Sequence, residues 1–473
     1  MLGVVLIRLP SLSEPRWHPD DGLFTVVAWA TSKGVPLYGG VYDNSPPGIY
    51  WLYRLLLLLG AGRYHLVVQV AATLAVVAAA LLTFEITRQL SPPWPAALAG
   101  GLTGFALSVP TLDGDLLNVE LAALPLFLAA LRLAFTGRVT WAFLAGGLLA
   151  LAVATRPSFA FDGLALLVPL GLDRRLVAAA AGGVTALAAV LGALWIEGSL
   201  VAFFQVVLPA DRAYLLWANG GTMAPVFVRV GTLAIVAGLG LQAARTPAGR
   251  LLAIWLPASL AGASLAPREL THYAHEAIPP LAAGLALLAG RLRWRWAVVP
   301  ATAASLLLTA QLTLVLPAWQ TAGRSAWAPN FSYGQLPAFY GNWLAYVSGA
   351  RSWKAYSEWF PGVAGRRPLE AAVLRTQWQT TDSRLLILGD QPWLYVDSGF
   401  LPATPYPATN SAFWRSSGAA DATRQALRNS CADLVVYTDG PGDWRPALDS
   451  GGYQAVEGAP WPTFRANERG PAC

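Results

Sequence analysis

Two adjacent carboxylates, Asp20 and Asp21, follow the first apolar stretch of a chain in which 55% of residues are hydrophobic and only 12% are charged. Acids are costly near hydrocarbon, so a pair placed at an expected membrane surface asks for a chemical role. In the run His18-Pro19-Asp20-Asp21-Gly22-Leu23-Phe24, a carboxylate at the mouth of a membrane cavity can accept a proton from an incoming hydroxyl. Its neighbour can orient it, bind a metal, or raise its pKa by like-charge repulsion. The same residues also suit a helix N-cap, where Asp satisfies free backbone amides. Spacing alone leaves both readings open.

Four further places carry chemistry-bearing residues. In Tyr42-Asp43-Asn44-Ser45-Pro46-Pro47-Gly48, the prolines force an extended entry to the aromatic stretch 49–53, which suits a short interfacial helix. Asp113-Gly114-Asp115, followed by Asn118 and Glu120, has the acid-x-acid pattern that can hold a divalent cation and offset the charge of a leaving phosphate. A short outer loop capped by Asp115 or Asn118 looks the same. In the run from Arg268 to Glu276, Arg268 and His272-Tyr273 can offer donors to a phosphate. Snorkelling and pairing among Arg268, Glu269 and Glu276 is the plainer reading, and the His-Glu-x-x-His spacing of a zinc site is absent. Arg156, beside Pro157 between two apolar runs, needs water or a charged partner, and a phosphate would supply one.

Composition sets the elements that must position these groups. With 473 residues, 20 Trp and a mean hydropathy of +0.47, the chain reads as a mainly α, polytopic membrane protein. Apolar runs cover roughly 67–86, 96–109, 119–134, 141–155, 159–172, 176–196, 226–244, 251–266, 277–290 and 296–316. Residues 1–9 are half the length of a span and lack a basic n-region, so a truncated first span, with the natural start upstream, is expected over a signal peptide. The total is about eleven spans.

The net charge of +6 is spread over loops, which disfavours a nucleic-acid partner. Arg88, Arg132, Arg138, Arg174, Arg175, Arg245, Arg250, Arg291, Arg293 and Arg295 gather in one set of loops against only Glu85 and Asp173, which makes that set cytoplasmic. The other set holds Asp20, Asp21, Asp43, Asp113, Asp115, Glu120, Glu197, Asp211, Glu269 and Glu276. A multi-pass protein of the plasma membrane, with its acids and its tail outside, is the expectation.

Beyond Pro317 the long apolar runs stop, so the chain divides into a transmembrane part, 1–317 with an outer loop at 10–64, and an extracytoplasmic α/β domain, 318–473. Helices are expected at 369–379 and 422–429 and buried strands at 384–388 and 433–437. An oxidising compartment permits a disulfide between Cys431 and Cys473, although Cys431, next to a strand, reads first as a small buried hydrophobe.

The order of an acidic pair, an aromatic three residues later, Gly34-Val35-Pro36-Leu37-Tyr38 and Asp43-Asn44-Ser45-Pro46-Pro47-Gly48 resembles the first outer loop of the membrane-embedded C-type-fold (GT-C) glycosyltransferases. It is most similar to the protein O-mannosyltransferase and lipid A aminoarabinose transferase group. The resemblance extends to Asn118 and Glu120, Arg156-Pro157, and His272-Tyr273 with Pro279. It implies a sugar donor on a polyprenyl phosphate, with Asp20, the first acid, as base toward the acceptor hydroxyl. Two departures stand out: the second acid is Asp21 where Glu is frequent, and Ser45 stands where aminoarabinose-type enzymes often carry Lys. The phosphate must then find its cation elsewhere.

The expected function is transfer at the outer face, with Asp20 and Asp21 catalytic and Arg156, Arg268, His272 and Tyr273 on the donor phosphate. Asp43 and Glu120 would orient groups or meet the acceptor, and Asp113 and Asp115 would hold a divalent metal if one is used. Direct displacement would invert the anomeric centre. The acceptor could be a glycolipid, a polysaccharide or a protein. A transporter or flippase is the competing class, but such proteins usually show related halves and midplane interruptions, and no repeat is evident here. An inactive relative that only binds a partner is a third reading.

Overall fold

The computed structural model describes residues 2–60, 64–266, 271–290, 336–360, 366–378, 383–409, 419–438, 443–467 and 470. Most of the chain is helical. After a short α1 (Leu2–Arg8), α2 (Pro19–Ser32) and α3 (Pro47–Gly60) flank the proline-rich segment, and α4 (Tyr64–Arg88), α5 (Pro93–Ala106), α6 (Val119–Ala134) and α7 (Val139–Thr155) follow. The apolar run at 159–172 is broken into α8 (Phe159–Asp162), a 3-10 turn (Gly163–Leu166) and α9 (Leu167–Leu170). Then come α10 (Arg174–Ile196), α11 (Leu200–Ala218), α12 (Ala224–Ala243), α13 (Pro247–Ala263) and α14 (Ile278–Ala289).

Among the described residues four helices are long and apolar enough to cross a membrane: His65–Arg88, α10, α11 and α12. The other helices at expected spans are shorter, and the run at 296–316 lies outside the described residues, as does the 291–295 arginine loop. One element corrects the sequence reading. Residues 200–218, taken there as part of an outer loop, form α11, whose apolar faces are interrupted by Pro209, Asp211 and Arg212.

Small residues set the closest helix packing. A Cβ on Gly146 would meet the Ala179 carbonyl oxygen, and one on Gly182 the Phe143 carbonyl oxygen, both under 2 Å away. Gly147 lies nearest Gly182 and Ala186, and Gly137 nearest Arg175. Low numbers therefore meet low numbers, and α7 and α10 run parallel in close backbone contact.

The C-terminal unit contains α15 (Leu336–Val347), α16 (Trp353–Ser357), α17 (Arg366–Trp378), α18 (Trp393–Ser398), α19 (Ala419–Arg428) and α20 (Arg445–Ser450). Its five-stranded sheet has the order β2-β1-β3-β5-β4. Here β1 is Arg384–Leu388, β2 Leu401–Pro402, β3 Leu434–Tyr437, β4 Tyr453–Val456 and β5 Thr463–Ala466. β1 runs parallel to β2 and β3, with Leu385 opposite Leu434, while β5 is antiparallel to β3 and β4. Both expected strands are present and are fully buried at Leu385, Leu386, Ile387, Leu388, Val435 and Val436, as a central strand covered on both faces requires. Cys431 is disulfide-bonded, not a free buried thiol; Cys473 lies outside the described residues.

The sheet's core does not end at residue 318. Val26 of α2 is buried in one cluster with Leu385, Ile387, Leu394 and Phe400, and Trp29 packs against it. The helix that carries the acidic pair is thus one wall of the C-terminal core.

Candidate active site

Helix α2 begins at Pro19, whose fixed φ and missing N–H suit a first helical position. Its N-cap is His18, which accepts the Asp20 amide at Nδ1 over 3.2 Å. Asp20 and Asp21 lie inside the first turn and do not cap the helix; their charges instead face the positive end of its dipole. The two acids have different surroundings. Asp20 is half-buried, and among the described residues no donor is bonded to its carboxylate, whereas Asp21 is buried. Tyr53 of α3 donates to Asp21 Oδ1 at 2.6 Å and also lies 3.1 Å from the Leu117 carbonyl. Burial raises the pKa of Asp21, and the Tyr53 bond opposes that rise.

Asp43 sits in the proline-rich loop, buried, with its N–H donating to the Tyr50 hydroxyl at 3.2 Å. The Asn44 amide, turned to place its nitrogen inward, donates to Asp43 Oδ2 at 3.1 Å. Burial pushes the Asp43 carboxyl up to about 7, and the charge of Asp20 adds to the rise. The structure therefore brings Asp20 and Asp43 within electrostatic reach. Ser45, at the position where aminoarabinose-type enzymes often carry Lys, supplies its carbonyl to the Tyr38 hydroxyl at 3.1 Å.

A second cluster forms where α6, α7 and the 3-10 segment Thr271–Ala277 meet. Arg156 caps α7; its Nη2 lies 3.0 Å from Glu120 Oε1 and its Nε 3.6 Å from Glu276 Oε1. The Arg156–Glu120 pair is close but not aligned as a hydrogen bond, because neither Glu120 oxygen has a bonded donor. The guanidinium stands 4.7 Å over the Tyr273 ring, and the Tyr273 hydroxyl is 2.9 Å from that of Tyr214 on α11. Ser158 links Arg156 and Glu276: its hydroxyl donates to Glu276 Oε1 and accepts from Arg156 Nε at 3.2 Å. Glu276 is raised to about 7, chiefly by burial.

Asp113 adopts the left-handed backbone (φ 54), which aims its carboxylate at Thr271 Oγ1 (2.8 Å) and His272 Nδ1 (2.9 Å). Burial works against the His272 cation, but Glu120 and Asp113 override it and hold its pKa up at about 9. Asp115 is raised well above the usual range by burial and then by Glu14, itself pushed up to about 7 by burial. The two acids of the Asp113-Gly114-Asp115 motif thus face different partners. Among the described residues no group of three or more His, Cys, Asp or Glu is placed to hold a metal ion, and the Asp113 carboxylate is bonded to Thr271 and His272.

Of the residues expected at the site, Glu120, Arg156, His272, Tyr273 and Asp113 converge, and Asp20, Asp21 and Asp43 form the neighbouring carboxylate group. Arg268 lies outside the described residues. Tyr53, Tyr214, Thr271 and Glu14 were not legible, because each is recruited by a contact between distant segments and carries no local spacing signal.

Neither a protein-family model nor a curated protein matches the chain. Solved structures do. ArnT from Cupriavidus metallidurans bound to undecaprenyl phosphate superposes with a TM-score of 0.59 at 16% identity, covering 99% of this chain and 98% of that one. Its apo state gives 0.58 at 16%, with the same coverage. The oligosaccharyltransferase AglB from Archaeoglobus fulgidus, with an inhibitory peptide and dolichol-phosphate, gives 0.45 at 12%, covering 98% of this chain and 74% of that one. Over nearly its whole length the chain has the fold of ArnT, a GT-C fold.

Proposed function

We propose that the protein is a glycosyltransferase that moves a sugar from a polyprenyl-phosphate donor to an acceptor hydroxyl, with Asp20 as general base. The observation that carries this reading is the contrast within one first helical turn. Asp21 is buried and bonded by Tyr53, while Asp20 keeps an accessible carboxylate without a bonded donor among the described residues. A base must reach a proton, and geometry comes before pKa in choosing it.

In the proposed step the acceptor O–H gives its proton to the Asp20 carboxylate as the oxygen bonds to the anomeric carbon. The bond from that carbon to the phosphate oxygen breaks, and polyprenyl phosphate leaves with the electron pair. Attack opposite the leaving group inverts the centre. His272, held cationic by Asp113 and Glu120, and Arg156, oriented by Glu120 and the Tyr273 face, would meet the developing phosphate charge. Arg268 is a further donor by its place in the sequence. Asp43 and Asp21 would orient the base and acceptor. Asp113, engaged by Thr271 and His272, would hold the His272 ring in place beneath the phosphate.

The ArnT fold, and the undecaprenyl phosphate bound in that structure, support the lipid-phosphate donor. We further read the chain as having about eleven spans, with the site and the tail outside. In this reading α11 adds no crossing, and the contacts of its two ends support that count. Glu197, just before it, pairs with Arg54 of α3 at 3.1 Å, and Tyr214 in its last turns bonds Tyr273. Incubating the purified chain with a panel of radiolabelled polyprenyl-phosphate sugars tests the reading. Consumption of at least one donor with release of polyprenyl phosphate is expected; vesicle uptake of intact donor without consumption would mark a flippase instead.

A further inference from the structure

A groove of about 500 Å³ opens between α2, α3 and the C-terminal unit, and it shares no residue with the cluster around Asp20, Glu120 and Arg156. Among the described residues its walls carry four cations, Arg16, Lys33, Arg54 and Arg375, against one carboxylate, Asp397. That carboxylate is already engaged, 2.5 Å from Arg16 and 2.8 Å from Arg367. Arg375 donates to the Asp397 carbonyl, a neutral partner that leaves its charge uncompensated. Arg54 meets Glu197 in a partly exposed pair, an arrangement of small net stability. Lys33 is the exposed C-cap of α2. An anion entering here meets a surplus of positive charge.

The floor is apolar. Leu58 lies in the groove and is 73% exposed, and Leu55 and Leu59 beside it on α3 are exposed as well. Positions 55, 58 and 59 fall at the i, i+3, i+4 spacing of a single helix stripe. A soluble anion would use the cations and leave this stripe in water; an anionic lipid would cover both.

We propose that the groove seats the phosphate-bearing headgroup of a bilayer lipid, with its chains laid along Leu55, Leu58 and Leu59. Lys33 is thirteen residues along α2 from Asp20, or about 20 Å at helical rise, so this is a second lipid site and does not depend on the transfer reading. Helix α2 would then be gripped at one end by lipid and along its length by the sheet core.

The test is native mass spectrometry of the full chain released from micelles holding equal phosphatidic acid and phosphatidylcholine. The wild type should retain phosphatidic acid preferentially, and Lys33→Glu with Arg375→Glu should cut that preference about fivefold for each reversed charge. Leu58→Ser with Leu59→Ser should weaken retention of phosphatidic acid, and Arg174→Glu with Arg175→Glu, outside the groove, should leave the preference unchanged. The proposal is overturned if the groove charge reversal leaves the preference at the wild-type level. It is equally overturned if inorganic phosphate at the lipid's own concentration displaces the lipid, which would assign the groove to a soluble anion.

Discussion

The indole Nε1 of Trp393 donates to the carbonyl oxygen of His18 at 2.8 Å. His18 is the N-cap of the helix that presents Asp20, so a residue of the C-terminal unit fixes the entry of the proposed base. The fit is tight: a Cβ on Gly22 would lie 2.8 Å from the Trp393 ring. Two more ties run in parallel, the Tyr42 hydroxyl to that of Tyr406 at 3.0 Å and the Tyr42 amide to the Pro405 carbonyl at 2.9 Å. The C-terminal unit therefore acts as a positioning frame for the segment from His18 to Tyr42.

Trp393→Phe keeps most of the ring and removes the bond to His18. The variant should lose about 1 kcal/mol of stability, the usual net worth of one such bond. If Trp393 positions the base, transfer should fall about tenfold in kcat with KM for the donor little changed, as steady-state kinetics would report. A fall confined to KM would assign Trp393 to binding instead.

Gly22→Ala should weaken the same joint, because the added methyl must displace both the Trp393 ring and Pro392. Limited proteolysis should then cut the C-terminal unit free faster than in the wild type. Equal cleavage rates would show that the joint yields without cost.

Arg156→Ala leaves Glu120, fully buried, without its ion-pair partner. Breaking a buried pair from one side typically costs about 3–5 kcal/mol, so thermal unfolding should shift down clearly. Replacing both partners, Arg156→Met with Glu120→Met, should recover much of the midpoint while transfer stays lost. Recovery of transfer by the double variant would remove Arg156 from the phosphate role.

The His272–Asp113 pair predicts an alkaline effect. The folded pKa of His272, about 9, lies above the ordinary value of 6.5. Its stabilisation is therefore complete below about pH 6.5 and fades as pH rises through about 9, where the folded form also loses its proton. Melting curves between pH 6.5 and 9.5 should show this decline in the wild type and not in His272→Gln. Transfer should fall over the same alkaline range; a pH-independent His272→Gln difference would sink the assignment.

The sequence revealed much of the frame. Helix α6 has the bounds of its apolar run, 119–134, because its charged residues, Glu120 and Arg132, fall in the first and last turns and Asn118 caps it by accepting the Leu121 amide at 2.8 Å. Strands β1 and β3 were legible as short apolar runs bounded by Gly389 and Asp433. Helix α11 was hidden by Pro209, Asp211 and Arg212, which break a hydropathy run without breaking the helix. Within the site, the residue types at Asp20, Arg156 and His272 were legible. Their partners were not: Tyr53 reaches Asp21 across 32 positions and Thr271 reaches Asp113 across 158. Such contacts are decided by packing, which local pattern does not encode. The role of α2 in the C-terminal core was hidden for the same reason, since Val26 meets Ile387 only after the chain has returned.

The central claim is that Asp20 takes the acceptor proton. Single-turnover transfer from a radiolabelled polyprenyl-phosphate sugar, measured for Asp20→Asn beside the wild type at matched protein level and melting temperature, tests it most directly. Asp20→Asn should lose about 10²–10⁴-fold, the usual contribution of a general base. Transfer within a few-fold of the wild type would contradict it.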